Sequence, residues 1–286
     1  MSVLVTGSAG FIGRHLVTAL EGEGHNVFRC DLKEDLDCRD LFASDQHFGL
    51  VFHCAATVGG REGIDCNAAL LGANNLQLDG ALFEWALRTR PERVVFFSSA
   101  ASYPVALQQK ACKLAEDDIR FDLIGVPDES YGWAKLTGEM VAQCVRTTGV
   151  PVTVVRPFSS YDHDQDDCYP FPEFIRRAKR HDDPFVVWGD GTQVRDFIHI
   201  DDLVSAVLVL AHSGVDGPVN LGTGVPTSMD ELAQLCMKAA GYDVAVRHLS
   251  DKPVGVLHRV CDNSLLRQYY EPKISVEEGV RRALAA

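Results

Sequence analysis

The chain opens with the stretch SVLVTGSAGFIG at residues 2–13, and this stretch decides the fold. Residues 2–6 form a short β-branched apolar run, and the segment after Gly13, RHLVTALEGEGH, has apolar residues at helical spacing. A strand, a glycine turn and a helix in this order predict a phosphate-binding corner. Gly7 permits the tight turn, Gly10 permits close approach of the anion, and Gly13 lets the helix pack against the strand. The free N–H groups at the start of the helix then face the anion.

An acidic residue follows the next apolar run. Residues 26–30 end at Asp31, where a carboxylate accepts hydrogen bonds from the two hydroxyls of an adenine ribose. Because a carboxylate repels a 2′-phosphate, the sequence predicts NAD rather than NADP. The alternative is a structural turn followed by a surface aspartate. Asp37 and Cys38, in the short connection to the third strand, are candidates to hold the adenine amino group, with a solvated acidic turn as the alternative.

Composition excludes several classes of function. The 286 residues are 46% hydrophobic and carry a net charge of −13, which disfavours nucleic acid or an anionic membrane as partner. We find no apolar run near the ~20 residues that a membrane span needs, and no signal peptide at the start. The nine cysteines are scattered and never form a CxxC pair, so we expect no metal site, reduced thiols and a cytoplasmic location.

Strand-like and helix-like segments alternate through residues 1–157. The apolar runs SVLVT, HNVFRC, LVFHCAA, RVVFFSS and VPVTVVRP are continuous, and helix-length segments separate them. These features predict an α/β fold with a doubly wound parallel sheet that is covered by helices on both faces. Residues 159–172 are polar and lack periodicity, so we interpret them as a loop. Among the later helices, one is predicted to begin at Ser228, with Glu231 completing a capping box.

The motif YGWAK places Tyr131 and Lys135 four residues apart, on one face of a helix. A free tyrosine has a pKa of about 10, but a neighbouring ammonium and a cationic nicotinamide both favour the phenolate. Tyr131 is therefore a candidate acid/base. Ser99 ends the fourth apolar run, where it can hydrogen-bond the same substrate oxygen.

The motifs together resemble those of the extended short-chain dehydrogenase/reductase family, which includes the nucleotide-sugar epimerases and dehydratases. The resemblance covers essentially the whole chain and rests on GSAGFIG, Asp31, HCAA, Asn75, SSAASYP, YGWAK, RPF, GDGTQVRDFIHIDD, VNLGTG and RVCD. It implies a dinucleotide-binding domain with a Rossmann sheet, formed by residues 1–157 and 196–222. A smaller C-terminal substrate-binding lobe is then formed by residues 158–195 and 223–286.

The resemblance also assigns roles to residues. Together with the adenine candidates, the predicted cofactor-binding residues are Gly7, Gly10, Phe11, Ile12, Gly13, Asp31, Asp37, Cys38, Ala55, Ala56, Thr57, Asn75, Tyr131 and Lys135. Ser99 and Tyr131 resemble the catalytic pair, and Lys135 the residue that holds the nicotinamide ribose. Arg195 and Arg259 resemble the clamps on the diphosphate of a sugar nucleotide, since planar guanidinium groups suit phosphate oxygens. Ion pairs with Asp196 or Asp262 are the alternative for the two arginines.

The positions after Ser99 distinguish the reactions of the family. Dehydratases, decarboxylating members and enzymes similar to GDP-mannose 3,5-epimerase or GDP-fucose synthase carry acidic or cysteine side chains there, whereas this chain has Ala100 and Ala101. Since alanine moves no proton, we predict an NAD-dependent nucleotide-sugar epimerase acting at C4 through a 4-keto intermediate. A 3,5-epimerase or a 4-keto reductase that uses His163 or Cys168 is one alternative. A non-catalytic NAD-binding scaffold is another.

Three further expectations follow from the resemblance. Ser159 replaces an asparagine that contacts the substrate in the family, so it is a candidate substrate-binding residue of altered geometry. Arg61 and Glu62 are candidate sugar contacts, with surface charges as the alternative. The helices at about residues 76–88 and 131–147 are expected to pack against their copies in a homodimer.

Overall fold

The computed structural model describes residues 2–59 and 67–286. The strands are β1 (Val3–Thr6), β2 (Val27–Cys30), β3 (Leu50–His53), β4 (Arg93–Phe97), β5 (Lys113–Leu114), β6 (Val152–Pro157), β7 (Ser159–Tyr161), β8 (Phe185–Trp188), β9 (Val194–His199), β10 (Pro218–Leu221), β11 (Pro226–Ser228), β12 (Val246–Leu249) and β13 (His258–Cys261). The helices are α1 (Phe11–Gly22), α2 (Cys38–Ala43), α3 (Ala68–Thr89), α4 (Glu129–Thr147), α5 (Pro170–Arg180), α6 (Ile200–Ser213), α7 (Met229–Ala239) and α8 (Val276–Ala285).

The main sheet has six strands in the order β10-β6-β4-β3-β1-β2, and all of its pairs are parallel. The predicted doubly wound α/β fold is therefore confirmed. One apolar core lies between the sheet and helices α1 and α6, and a second lies between the sheet and helices α2, α3 and α4. The continuous apolar runs in the sequence arise because helices cover the sheet on both faces.

A smaller lobe is built from the later strands and helices. Strands β11, β9, β13 and β5 form its main sheet, β7 pairs with β9, and β12 pairs with β8. Helices α5, α7 and α8 bury a third apolar core against these strands. The proposed division into residues 1–157 with 196–222, and 158–195 with 223–286, stays a prediction; strand β9 crosses its boundary at residue 195.

The interpretation of residues 159–172 as a loop is wrong at both ends. Residues 159–161 form β7, because they pair in parallel with β9, with Ser159 opposite Phe197. Helix α5 begins at Pro170, since a proline at the first helical position sacrifices no backbone hydrogen bond. The capping box of Ser228 and Glu231 at the start of α7 is confirmed.

The structure also bears on membrane association. In the parts of the chain that it describes, no helix combines the length and apolar character needed to cross a bilayer.

Candidate active site

The glycine turn forms the predicted corner after β1. Gly7 has a φ of +67°, and a Cβ there would lie 2.7 Å from the backbone nitrogen of Ala55. A Cβ on Gly13 would lie only 2.0 Å from the carbonyl oxygen of Gly7. The glycine turn can therefore lie directly against the segment after β3 and against helix α1, because Gly7 and Gly13 lack side chains.

Helix α1 points its start at this corner. Gly10 is its N-cap and lies in extended conformation, with no side chain to cap the helix. The N–H groups of Phe11, Ile12 and Gly13, in the first turn, have no partner within the helix. The side chains of Phe11 and Ile12 pack against the apolar core, so these two residues contribute their backbone to the corner. This cradle fits the pyrophosphate of a dinucleotide.

The carboxylate of Asp31 lies against the same turn. Its Oδ2 accepts a hydrogen bond from the backbone nitrogen of Ala9 at 3.0 Å, and its Oδ1 accepts one from the backbone nitrogen of Lys33 at 2.8 Å. The residue predicted to hold the adenine ribose therefore adjoins the predicted pyrophosphate cradle. Carboxylate oxygens have further lone pairs, which leave capacity for hydroxyl donors.

Asp37 and Cys38 lie at the start of α2. Asp37 caps this helix and is bound by the guanidinium of Arg39, whose hydrogen bonds lower the pKa of Asp37. Cys38 is buried, and this burial raises the pKa of its thiol to about 12. The Asp37 carboxylate is thus engaged with its own helix and Arg39. The contact of Asp37 and Cys38 with adenine stays a prediction.

The segment after β3 passes the glycine turn and is held by Asn75 of α3. The Asn75 amide accepts a hydrogen bond from the Thr57 nitrogen at 2.9 Å and donates to the Thr57 carbonyl at 2.8 Å. Its other amide proton goes to the Leu71 carbonyl at 2.9 Å. Because both amide protons bind backbone carbonyls, the described contacts of Asn75 position residues 55–57 rather than reach outward.

The predicted catalytic pair comes together at the carboxyl edge of the sheet. Ser99 follows β4 and interacts with the phenol of Tyr131, on the first turn of α4. Burial raises the pKa of Tyr131 well above its usual value, the charge of Asp79 raises it further, and the hydrogen bond with Ser99 lowers it. In the chain alone, Tyr131 is therefore a protonated phenol at neutral pH.

Lys135 lies one turn beyond Tyr131, and its ion-pair partner within the chain is an aspartate that the sequence analysis did not single out. The Nζ of Lys135 lies 3.3 Å from Oδ1 of Asp79 on α3, and both side chains are buried. The expectation that this ammonium and a cationic nicotinamide together favour the Tyr131 phenolate stays a prediction. The Asp79 carboxylate offsets the charge of the lysine and acts on Tyr131 with the opposite sign.

A buried network supports the catalytic face of α4 from behind. Arg156, at the end of β6, forms an ion pair of 2.6 Å with Glu139, and both side chains are almost fully buried. Glu139 also accepts a short hydrogen bond from Ser98. Glu139 follows Lys135 by one turn, so this network fixes the helix face that carries Tyr131.

The two candidate clamps are neighbours, because Arg259 of β13 pairs with Arg195 of β9. Arg195 donates to the carbonyls of Val194, Val254 and Val256 at 2.8 to 3.0 Å. Arg259 forms an ion pair of 2.7 Å with Asp128. The alternative ion pairs with Asp196 and Asp262 are therefore not the described contacts of these arginines.

A cleft of about 890 Å³ opens beside these arginines, and Val254, Val256 and Asp128, which bind them, line it. Trp133, from the outer face of α4, lines it as well. Ser159 is half-buried on β7. The candidate clamps thus lie behind residues that line a large cleft and do not themselves line it.

The acidic loop at residues 162–167 contacts the cofactor-binding domain. Asp164 forms an ion pair of 2.9 Å with Arg14 of α1, and His15 lies 3.1 Å from the same carboxylate. His15, Asp162 and Asp164 are close enough to share a metal ion, but the guanidinium of Arg14 already neutralises Asp164. His163 is about half exposed and is bound to Asp162 at 2.9 Å. Arg61 and Glu62 lie outside the described residues.

A model of the NAD dependent epimerase/dehydratase family matches residues 3–222. The chain belongs to this family. Its members are NAD-dependent sugar epimerases and dehydratases, so the protein is an enzyme whose cofactor is NAD.

Relatives in the family differ in their reactions. GDP-mannose 3,5-epimerase 1 of Oryza sativa subsp. indica is 29% identical over 98% of this chain and 80% of its own length. UDP-glucose 4-epimerase of Thermotoga maritima, solved with UDP-glucose, superposes with a TM-score of 0.87 at 26% identity, over 100% of this chain and 98% of its own. MoeE5 in complex with UDP-glucose and NAD gives 0.85 at 27%, with the same coverage.

Several residues of the site were missed by sequence reasoning. Glu139 lies four residues after Lys135 and eight after Tyr131, so helical periodicity alone places it on their face. Asp79 similarly lies four residues after Asn75, on the buried side of α3. The identity of their partners, Arg156 and Lys135, depends on how distant elements pack, and no local pattern reveals it.

Proposed function

We propose that the enzyme epimerises a nucleoside-diphosphate sugar at C4 through a 4-keto intermediate. The observation that carries this proposal is the set of Ser99, Tyr131 and Lys135 next to two buried alanines, Ala100 and Ala101. The set can remove and return one proton at a sugar hydroxyl. The alanines offer no second acid or base for elimination or for proton removal from carbon.

The roles of the side chains follow from their positions. NAD, when bound, supplies a hydride acceptor for the sugar carbon and a positive charge that favours the Tyr131 phenolate. Tyr131 takes the proton of the 4-hydroxyl and later returns it, and Ser99 hydrogen-bonds the same oxygen. Lys135 contributes its ammonium charge to the site. Arg195 and Arg259 bind the diphosphate, which is remote from the reacting carbon. The keto sugar can therefore rotate in the pocket without dissociating.

Replacement of the phenol tests this assignment. We expect Tyr131→Phe to lower kcat by about 10²- to 10⁴-fold, because it removes the acid/base and keeps the ring. NAD affinity, measured by calorimetry, should change little. Tyr269→Phe, at a partly exposed tyrosine, is the matched control and should retain full activity. Unchanged turnover in Tyr131→Phe would overturn the assignment. A protein that binds NAD but turns over no sugar nucleotide would instead favour a non-catalytic NAD-binding scaffold.

A second candidate function is a 3,5-epimerase or a 4-keto reductase, which the similarity to GDP-mannose 3,5-epimerase favours. Its additional acid/base would come from His163 in the acidic loop or from Cys168 directly after it, and both are exposed. Turnover in deuterium oxide separates the candidates. Deuterium on C3 or C5 indicates proton removal from those carbons, whereas C4 epimerisation leaves every carbon unlabelled. A panel of UDP-, GDP-, dTDP- and CDP-sugars, followed by NMR, identifies the substrate.

We also propose that the enzyme is a homodimer in which α3 and α4 pack against their copies. Leu76 and Leu87 of α3, and Trp133 and Met140 of α4, are large apolar side chains with at least 40% of their surface exposed. Such residues on two adjacent helices favour a further contact. Sedimentation at micromolar concentration tests this proposal, and a monomer there contradicts it.

A further inference from the structure

Two buried charges meet where α3 packs against α4. Asp79 is 3% exposed and Lys135 is 1% exposed, and their Oδ1 and Nζ atoms are 3.3 Å apart. The ammonium also lies 5.0 Å from the centre of the Phe96 ring. The charge of Lys135 is therefore shared between a carboxylate and an aromatic face, both supplied by the protein.

The packing around this pair is unusually close. A Cβ on Gly138 would come within 2.9 Å of Oδ2 of Asp79 and 2.5 Å of Phe96. Glycine at this position thus lets α4 approach the carboxylate. Oδ2 of Asp79 is buried and has no hydrogen-bond partner among the residues that the structure describes. A buried ion pair left partly unsatisfied contributes little to stability, so stability alone is a weak reason for its presence.

Three titratable groups interact with Asp79 among the described residues, namely His53, Lys135 and Tyr131. His53, at the end of β3, places its Nε2 3.4 Å from Oδ1, and burial lowers the pKa of this histidine, which favours its neutral form. Cys54 follows His53 in the chain and interacts with the charge of Lys135, and burial raises the pKa of its thiol. From α4 come Lys135 and Tyr131. Because His53 and Cys54 are neutral at pH 7, Asp79 is the main charge that opposes the ammonium at this site.

We propose that Asp79 is a positioning residue, which holds the Lys135 ammonium in the helix interface and so determines how much of its positive charge acts on Tyr131. The inference rests on the proposed function insofar as Tyr131 is the acid/base. Since Asp79 touches neither substrate nor cofactor in this scheme, it acts only through Lys135 and through its field at Tyr131. Removing its charge leaves the ammonium unopposed, which favours the phenolate.

The test is a spectroscopic titration of Tyr131 that needs no turnover. The phenolate absorbance of each protein is recorded against pH, with and without saturating NAD, and that of its Tyr131→Phe counterpart is subtracted. We expect Asp79→Asn to move the titration of Tyr131 down by about one pH unit. Asp79→Glu, which keeps the charge, should restore the original midpoint. Glu84→Gln, on an exposed acid of the same helix, is the control and should cause no shift.

A titration that stays in place or moves upward in Asp79→Asn overturns the inference. If that variant does not fold, Lys135→Met and the double variant Asp79→Asn/Lys135→Met replace it, since the double variant buries no charge. The double variant should titrate at lower pH than Lys135→Met, and equal midpoints overturn the inference. The outcome is separate from that of the proposed function. If Asp79→Asn shifts the titration of Tyr131 but the protein turns over no sugar nucleotide, the role of Asp79 is supported and the proposed function is not. If Tyr131→Phe abolishes turnover but Asp79→Asn causes no shift, only the proposed function is supported.

Discussion

The substitution Gly13→Ala tests the physical basis of the cofactor corner. A Cβ at residue 13 would lie 2.0 Å from the carbonyl oxygen of Gly7 and 3.0 Å from the Cα of Ser8. All of these neighbours are backbone atoms, which cannot rotate away. Helix α1 or the glycine turn must therefore move by more than about 1 Å to bring the Cβ to an ordinary contact distance. A displacement of about this size is enough to lengthen or break a hydrogen bond.

The expected magnitude follows from two opposing effects. Overpacking of this kind costs about 1 to 3 kcal/mol, whereas replacing glycine by alanine within a helix gains up to about 1 kcal/mol. We expect a net loss of about 1 to 2 kcal/mol in the free energy of unfolding. If the start of α1 binds the pyrophosphate as predicted, displacing it weakens those hydrogen bonds. Each is worth about 1.5 to 3 kcal/mol, which corresponds to roughly 10- to 100-fold weaker NAD binding.

Urea unfolding and calorimetric titration with NAD measure both effects. Gly22→Ala is the matched control, because it makes the same change at the exposed end of the same helix, where a Cβ would meet nothing within 4 Å. The control should bind NAD like the original protein and be equally or slightly more stable. If Gly13→Ala binds NAD within about twofold of the original protein, the steric reasoning is refuted.

Three other predictions concern buried polar groups. Because burial lowers the pKa of His53, the unfolded chain binds more protons than the folded chain below pH 6.5. The free energy of unfolding should therefore fall as the pH decreases, by at most about 1.4 kcal/mol per pH unit for this residue. An equal slope in His53→Gln contradicts this prediction. Arg156→Met should cost about 3 to 5 kcal/mol in urea unfolding because it leaves Glu139 unpaired, and adding Glu139→Leu should recover most of that loss. Asn75→Ala should weaken NAD binding by calorimetry and cost about 1 to 3 kcal/mol, since the Thr57 backbone loses both of its amide partners; unaltered affinity would show that this loop does not depend on Asn75.

The strand, glycine turn and helix of the predicted cofactor corner were predictable because their determinants are local. Gly7 and Gly13 act through steric limits on the backbone between adjacent elements, and a strand, turn and helix of consecutive residues express those limits directly. The parallel sheet was predictable for a similar reason, since continuous apolar runs separated by helices permit few other arrangements. Strand β7 was missed because it is short and polar and is defined only by its pairing with β9.

The contacts of the arginines were not predictable from their motifs. A guanidinium has five donors and binds whichever acceptors the fold brings near. Arg195 binds three carbonyls, of which two come from residues 254 and 256, and Arg259 binds Asp128, which lies far away in the sequence. The sequence therefore singled out these side chains as candidate clamps, a role that stays a prediction, but it did not reveal the partners that they have in the fold.

The charge balance at Tyr131 shows why a motif predicts residues better than it predicts chemistry. Tyr131 and Lys135 are four residues apart, so their common face is a property of any helix. The carboxylate that opposes Lys135 comes from a position 56 residues away, and it meets the lysine only because α3 packs on α4 at Gly138. Two chains with the same YxxxK motif and different residues at position 79 should therefore act on the same oxygen of the substrate. They should differ in the pH at which the tyrosine loses its proton. Under the proposed role of Asp79, the reactivity of the phenol depends on the packing of the two helices as well as on the motif.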